Sequence, residues 1–307
     1  MIITNLHQLE RALANLPEDS LVLGIVGSSI EHSQSHTFHT YAFQKTGYPG
    51  VFLRLQFPPS SFDALMRRLL RPRTPRQKWT IAGLAVTAPY KIAALRWTTH
   101  LEKDAGAIGS VNTLRFVPTK RTKRMNVHGS NTDAEAFLKP LRDEKIHFRD
   151  YTVGLIGTGG VGRTVGYALT QMERVKKVTV IARESRNAKR LADRLDITSW
   201  ISIADMLKKK RRFDILINAT GVGQKGTSTE EQRIVPAETF DRVEAIAYDL
   251  IYGPRTQFLH DAARHKCRII NGQTMFLHQA AEQFRILTGL STFDERSVFQ
   301  AMQPHFG

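Results

Sequence analysis

Apolar residues along this chain follow two rhythms. Short, mostly apolar runs at residues 21–27, 51–57, 81–86, 153–156, 178–182, 214–219, 245–250 and 267–270 predict strands. Between them, apolar positions recur at helical spacing. Leu6, Leu9, Leu13 and Leu16 form one such stripe, closed by Pro17; Phe38, Tyr41, Ala42 and Lys45 mark a further helical pattern that stops at Gly47. Residues 62–70, 188–195 and 275–287 read as further helices, and a short one is expected to carry Lys91. Residues 107–116 and 124–129 read as two strands joined by a basic turn at 118–123. From residue 151 strand and helix alternate, the order of a doubly wound α/β domain on a parallel sheet.

One junction carries the most information. The strand at 153–156 runs into Gly157-Thr-Gly159-Gly160-Val-Gly162, and helical spacing resumes at Val161, Val165 and Leu169. In a strand–turn–helix the first glycine permits a tight turn. The second lets a pyrophosphate approach the backbone, and the third lets helix pack against strand. The free N–H groups of the helix start then favour a diphosphate. The glycine spacing alone is a weak signal; the flanking strand and helix give it weight.

Composition bounds the rest. The chain has 307 residues, 41% hydrophobic and 23% charged, ordinary globular values with length for two domains. Its net charge is +16, from 44 Lys and Arg against 28 Asp and Glu, so its surface draws anions without specifying which. Cys267 is the only cysteine, which excludes an intrachain disulfide and suits a reducing compartment. No apolar run approaches a membrane span, and the start of the chain does not read as a secretory signal. The expectation is a soluble, cytoplasmic protein, monomer or homodimer.

Four polar clusters follow apolar strands: Ser33/Ser35, Thr87/Lys91, Asn112 and Asn131/Asp133. Strand ends are where open α/β sheets bind ligands. A lysine and an aspartate brought together there make an acid–base pair, the carboxylate holding the ammonium while the lysine exchanges a proton with a substrate oxygen. Each residue also has a plainer reading: Ser33 and Ser35 as turn residues, Lys91 as a solvated lysine, Asp133 as a helix cap.

Taken together, these residues resemble the shikimate dehydrogenase family, along nearly the whole chain and in order. Gly27-Ser-Ser-Ile-Glu-His-Ser33-Gln-Ser35 resembles G-N-P-I-x-H-S-x-S, and Val86-Thr87-Ala-Pro-Tyr-Lys91 matches V-T-x-P-x-K. Gly109-Ser-Val-Asn112-Thr matches G-A-V-N-T, and Gly129-Ser-Asn131-Thr-Asp133 matches G-x-N-T-D. Asp214-Ile-Leu-Ile-Asn218-Ala-Thr220 matches D-x-x-I-N-A-T; Tyr248-Asp-Leu-Ile-Tyr252 and Met275-Phe-Leu-His-Gln279-Ala-Ala resemble Y-D-x-x-Y and M-L-x-x-Q-A-A.

The resemblance implies a two-domain α/β architecture. Residues 1–130 and 274–307 would form the substrate domain and 131–273 a Rossmann-type dinucleotide-binding domain, with the active site in a cleft between them. It implies reduction of 3-dehydroshikimate to shikimate, with Lys91 and Asp133 catalytic. Ser33 and Ser35 would hold the substrate carboxylate, and Thr87, Asn112, Tyr252 and Gln279 would contact the substrate. Gly157, Gly159, Gly160, Gly162, Asn218, Thr220 and Gly272 would line the cofactor.

Three departures stand out. Ser28-Ser29 replaces the family's Asn-Pro, so that turn is expected to differ; Thr274 replaces the second glycine of D-G-x-G-M, so a close backbone approach to the nicotinamide is in question. After the second cofactor-domain strand, Arg183 and Arg186 suit the 2′-phosphate of NADP, whereas Glu184 suits the free ribose hydroxyl of NAD. NADP is the expectation and NAD the alternative. Rival readings are an NAD-dependent quinate/shikimate dehydrogenase, and a non-catalytic metabolite sensor or nucleic-acid-binding relative. The basic run at 208–212 lacks interleaved aromatics, which favours a solvated helix end over a nucleic-acid surface.

Overall fold

The computed structural model describes residues 1–71, 79–119, 125–146, 151–241 and 246–306. The basic loop at 72–78 and the tip of the basic turn at 120–124 lie outside these residues. Contacts divide the chain into two compact units, one of Met1–Thr132 with Gln279–His305, the other of Asp133–His278 with Phe306–Gly307.

The first unit is built on a seven-stranded sheet. Its strands are β1 (Ile2–Ile3), β2 (Leu21–Gly27), β3 (Gly50–Gln56), β4 (Thr80–Val86), β5 (His100–Leu101), β6 (Thr113–Pro118) and β7 (Met125–Ser130), in the order β1-β3-β2-β4-β6-β7-β5. The first four in that order run parallel; β6 is antiparallel to both β4 and β7. Helix α1 (Leu6–Ala14) starts where the Asn5 side chain accepts a hydrogen bond from the Gln8 N–H at 3.0 Å, and it buries Leu9 and Leu13. Helix α2 (Ser35–Thr46) ends at Gly47, whose φ of 64° a side chain would resist. Helices α3 (Phe62–Leu69), α4 (Tyr90–Ala93) and α5 (Lys103–Ile108) follow. One core cluster joins Leu9, Val22, Val26, Phe62, Leu84 and Val86.

The second unit holds six parallel strands: β8 (Val153–Ile156), β9 (Val178–Ala182), β10 (Ser199–Ser202), β11 (Ile215–Asn218), β12 (Ile246–Asp249) and β13 (Arg268–Ile270). Their order is β10-β9-β8-β11-β12-β13, the 3-2-1-4-5-6 arrangement of dinucleotide-binding folds. The order reverses between β8 and β11. Helices α6 (Asp133–Asp143), α7 (Gly160–Tyr167), α8 (Ser185–Arg194), α9 (Ile203–Lys208) and α10 (Gln257–Arg264) accompany the strands. Helix α11 (Gln273–Thr288) starts in this unit, and the chain re-enters the first unit at Gln279, where α12 (Glu295–Met302) completes it.

One sequence expectation is corrected. Residues 107 and 108 close α5 rather than open a strand, and β6 begins only at Thr113. Gly109, at φ 68°, ends the helix, and the apolar pair Ile108 and Val111 imitated strand patterning across the break. No helix among the described residues is long and apolar enough to cross a membrane, and no group of side chains among them could hold a metal ion.

Candidate active site

In the first unit, two strand-end loops meet. A β-carbon on Gly27 would lie 2.5 Å from Ile30 Cγ2 and 2.6 Å from Thr87 Cγ2, so only glycine lets the loops after β2 and β4 come this close. The Ser28 N–H donates to the Ala88 carbonyl at 3.3 Å and the Thr87 N–H to the Val26 carbonyl at 3.0 Å. The Ser33 hydroxyl accepts from the Ser35 N–H at 3.3 Å; Ser35 is buried at the start of α2 while Ser33 stays half-buried. At the altered turn, Ser29 Oγ donates to Glu31 Oε2 at 3.0 Å, a local tie that a proline there could not make.

Lys91 sits on α4, and its neighbour fixes that short helix. Tyr90 is buried, stacks on Phe62 with ring centroids 4.4 Å apart, and donates its hydroxyl to the Phe57 carbonyl. The Lys91 carbonyl accepts from the Val111 N–H at 2.8 Å, which ties the lysine's backbone to the residue preceding Asn112.

Asn112 belongs to a buried chain of polar contacts. Its amide nitrogen donates to Thr132 Oγ1 at 2.9 Å, and its amide oxygen accepts from the Thr132 N–H at 3.0 Å. The Thr132 hydroxyl donates onward to the Gln279 carbonyl at 3.1 Å. Gln283, one turn along α11, donates to the Asn112 carbonyl at 2.9 Å. The fold thus gathers Asn112 and Gln279 around Thr132, a residue that the sequence motif contained but that had been given no role. Its hydroxyl pairing has no sequence periodicity, so nothing in the chain singled it out.

In the second unit, Asp133 is the first residue of α6 and is 4% exposed. The glycine turn after β8 behaves as its spacing suggests. Gly157 has φ 118°, and a β-carbon on it would lie 2.7 Å from the Ala219 carbonyl oxygen; one on Gly162 would lie 2.3 Å from the Gly157 carbonyl oxygen. A β-carbon on Gly159, by contrast, would meet nothing within 4 Å. The first and third glycines serve the turn's own packing, and the second faces open space before the N-terminus of α7. Those residues fit a pyrophosphate, which needs both room and backbone donors.

Asn218 and Thr220 brace the neighbouring strand end. Asn218 Oδ1 accepts from the Thr220 N–H at 3.0 Å and hydroxyl at 2.7 Å, and its amide donates to Asp249 Oδ1 at 3.1 Å. Asp249 is fully buried and also accepts from the Thr256 hydroxyl at 2.5 Å and the Ile251 N–H at 3.1 Å. Burial pushes its carboxyl up to about 6, against the lowering effect of those three donors. Tyr252, three residues on, packs on Phe276 at 4.5 Å and Phe306 at 6.0 Å between centroids. Gly272 has a packing role, since a β-carbon there would lie 2.1 Å from the Leu250 carbonyl oxygen. Thr274, where the family has glycine, lines a recess with Pro140, Asp143, Glu144 and Asn271.

Arg183, Glu184 and Arg186 are exposed beyond β9. Glu184 pairs with Arg186 at 2.5 Å, which offsets some of the negative charge that would oppose a 2′-phosphate.

Comparison with known proteins agrees over most of the chain. A family model described as the shikimate dehydrogenase substrate binding domain matches residues 25–114, and one described as shikimate / quinate 5-dehydrogenase matches residues 141–246. The NADP-dependent shikimate dehydrogenase of Methanopyrus kandleri is 31% identical over 277 residues, 87% of this chain and 90% of that protein. Among solved structures, shikimate 5-dehydrogenase of Thermus thermophilus in complex with NADP(H) and shikimate is 30% identical. Its TM-score is 0.75, with 93% of this chain and 99% of that one covered. Quinate dehydrogenase of Corynebacterium glutamicum shares the fold, with TM-score 0.76 at 24% identity over 93% of this chain and 99% of that one.

Proposed function

Because the chain belongs to the shikimate dehydrogenase family, we propose that it catalyses the reversible, NADP(H)-dependent reduction of 3-dehydroshikimate to shikimate. Likeness to enzymes of that activity over 87% of the chain carries the reading, and Lys91 and Asp133 stand at the motif positions where the family keeps its acid–base pair. The first unit serves as the substrate domain and the second as the cofactor domain.

Lys91 delivers a proton to the ketone oxygen during reduction and removes it from the hydroxyl in the reverse direction. Asp133 orients the ammonium and shares the substrate hydroxyl. Ser33 and Ser35 hold the carboxylate. Thr87, Asn112, Tyr252 and Gln279 hydrogen-bond the ring substituents, so analogues lacking the matching hydroxyls leave protein groups unpaired and bind poorly. Gly157, Gly159, Gly160 and Gly162 form the pyrophosphate turn, with Asn218, Thr220 and Gly272 shaping the wall beside it. Arg183 and Arg186 face the 2′-phosphate. The nicotinamide, when bound, supplies or accepts the hydride. A cytoplasmic setting, where shikimate-pathway intermediates and NADP(H) meet, belongs to the same proposal.

Steady-state rates with shikimate or quinate, each with NADP+ or NAD+, test the reading. Shikimate with NADP+ should give the highest kcat/KM. A preference for quinate with NAD+ would install the rival that Glu184 favours. Absence of turnover in all four arms, with retained metabolite or nucleic-acid binding, would install the non-catalytic one.

A further inference from the structure

Two side chains of β3 grip the loop that carries Ser33 and Ser35. Strand β3 pairs with β2 so that Ile25 lies opposite Arg54 and Gly27 opposite Gln56, at the point where that loop leaves the sheet. Arg54 and Gln56 are two residues apart and so share a face of the strand. The Arg54 guanidinium donates through Nη2 to the Ile30 carbonyl at 3.2 Å and the Glu31 carbonyl at 2.8 Å. Gln56 uses both ends of its amide: Oε1 accepts from the Ile30 N–H at 3.4 Å, and Nε2 donates to Glu31 Oε1 at 2.5 Å. The other Glu31 oxygen accepts from the Ser29 hydroxyl.

The grip reaches the serines through one atom. The Ile30 carbonyl that accepts from Arg54 also accepts from the Ser33 N–H at 3.1 Å, and Ser33 Oγ in turn accepts from the Ser35 N–H. Ile30 is 1% exposed with its side chain against Gly27, so the gripped peptide rests on a packed anchor. Fold stability alone does not account for the arginine. Its Nε is buried without a hydrogen-bond partner, which disfavours the folded state, and an aliphatic residue there would carry no such group. What the arginine adds is a charged donor to two successive carbonyls, stronger than a neutral one.

This loop has a particular use for such a donor. Proline fixes its own φ, and the Asn-Pro of the motif is Ser28-Ser29 in this chain. A loop that must be ordered by its ligand loses affinity, whereas one held beforehand does not. We infer that Arg54 and Gln56 are positioning residues for substrate binding: by gripping the Ile30–Glu31 peptide they hold Ser33 and Ser35 ready for the substrate carboxylate, through side chains rather than through a proline ring. The inference rests on the proposed dehydrogenase function and names what preorganises its carboxylate site.

Steady-state kinetics of the full chain with NADP+, on shikimate and on its methyl ester, test it; the ester lacks the carboxylate charge. R54M keeps most of the side chain's length and removes its donors. It should raise the KM for shikimate roughly tenfold, with kcat lowered less than about threefold and the KM for NADP+ within about twofold. The KM for the ester should rise less than about threefold, since the serines meet no full charge there. R54K, which keeps a charged donor, should recover part of the shikimate KM. Q56A leaves the arginine in place and carries the test should R54M fold poorly; it should raise the shikimate KM by a smaller factor with the same selectivity. Equal KM rises for acid and ester, equal rises for shikimate and NADP+, or unchanged values in both variants would overturn the inference and leave the dehydrogenase reading intact. Absence of shikimate turnover by the wild-type chain would instead remove that reading, and the inference with it.

Discussion

At the scale of single residues, chemistry was more legible than its support. Lys91, Asp133, Ser33 and Ser35 each have a plainer reading alone and stood out only together, as motifs following apolar strands in the family's order. Thr132 did not, because its worth lies in two partners far away in sequence, Asn112 and Gln279. Thr132→Val keeps the shape and removes the hydroxyl, leaving the buried Asn112 amide without that acceptor. It should lower unfolding free energy by about 1–3 kcal/mol and raise the KM for shikimate more than that for NADP+. Denaturant melts together with the two KM values check this; equal KM shifts would show that the contact steadies the fold without shaping the substrate side. The neighbouring hydroxyls at positions 28 and 29 were read as a changed turn, and the Ser29–Glu31 contact gives that change a local cause.

At the scale of elements, strands followed from mostly apolar runs, but short or weakly apolar elements escaped. Strand β10 has only Trp200 and Ile201 as apolar residues, and α10 and α12 were passed over despite caps at Thr256 and Asp294. Residues 107–116 misled because a six-residue helix is too short to show its period before Gly109 breaks it. The element ends around Asp249 carry a pH signature. Its folded value of about 6 exceeds the ordinary 3.8, so between those values the folded chain keeps a proton that the unfolded chain releases. Stability from this group is full below pH 3.8, falls as pH rises, and is gone above about 6, a loss on the order of 3 kcal/mol. Asp249→Asn can still serve Asn218 and Thr256 and does not ionise. Denaturant melts from pH 4 to 7 should show wild type losing stability relative to the variant as pH rises. Parallel pH profiles would mean that the carboxyl does not carry the proton.

At the scale of the whole molecule, the apolar pattern made only a parallel sheet the expectation; the six-stranded order β10-β9-β8-β11-β12-β13 was implied by the Rossmann-type resemblance and not by the pattern itself. Strand order depends on which apolar faces find each other, and equally apolar strands do not announce their neighbours. The net charge of +16 acts at this scale too. Substrate and cofactor are both anions, so the surface field should raise their encounter rates and weaken as salt screens it. From about 0.05 to 0.5 M salt, the KM for NADP+ should rise several-fold with kcat little changed. A salt-independent KM would show that the charge serves some other end.

The most direct test of the proposed chemistry is the turnover of Lys91→Ala. With shikimate and NADP+ saturating, kcat should fall by roughly 10² to 10⁴, while the Kd for NADP+ stays within about twofold of wild type. Undiminished kcat would contradict the assignment of Lys91 as the proton-transferring residue.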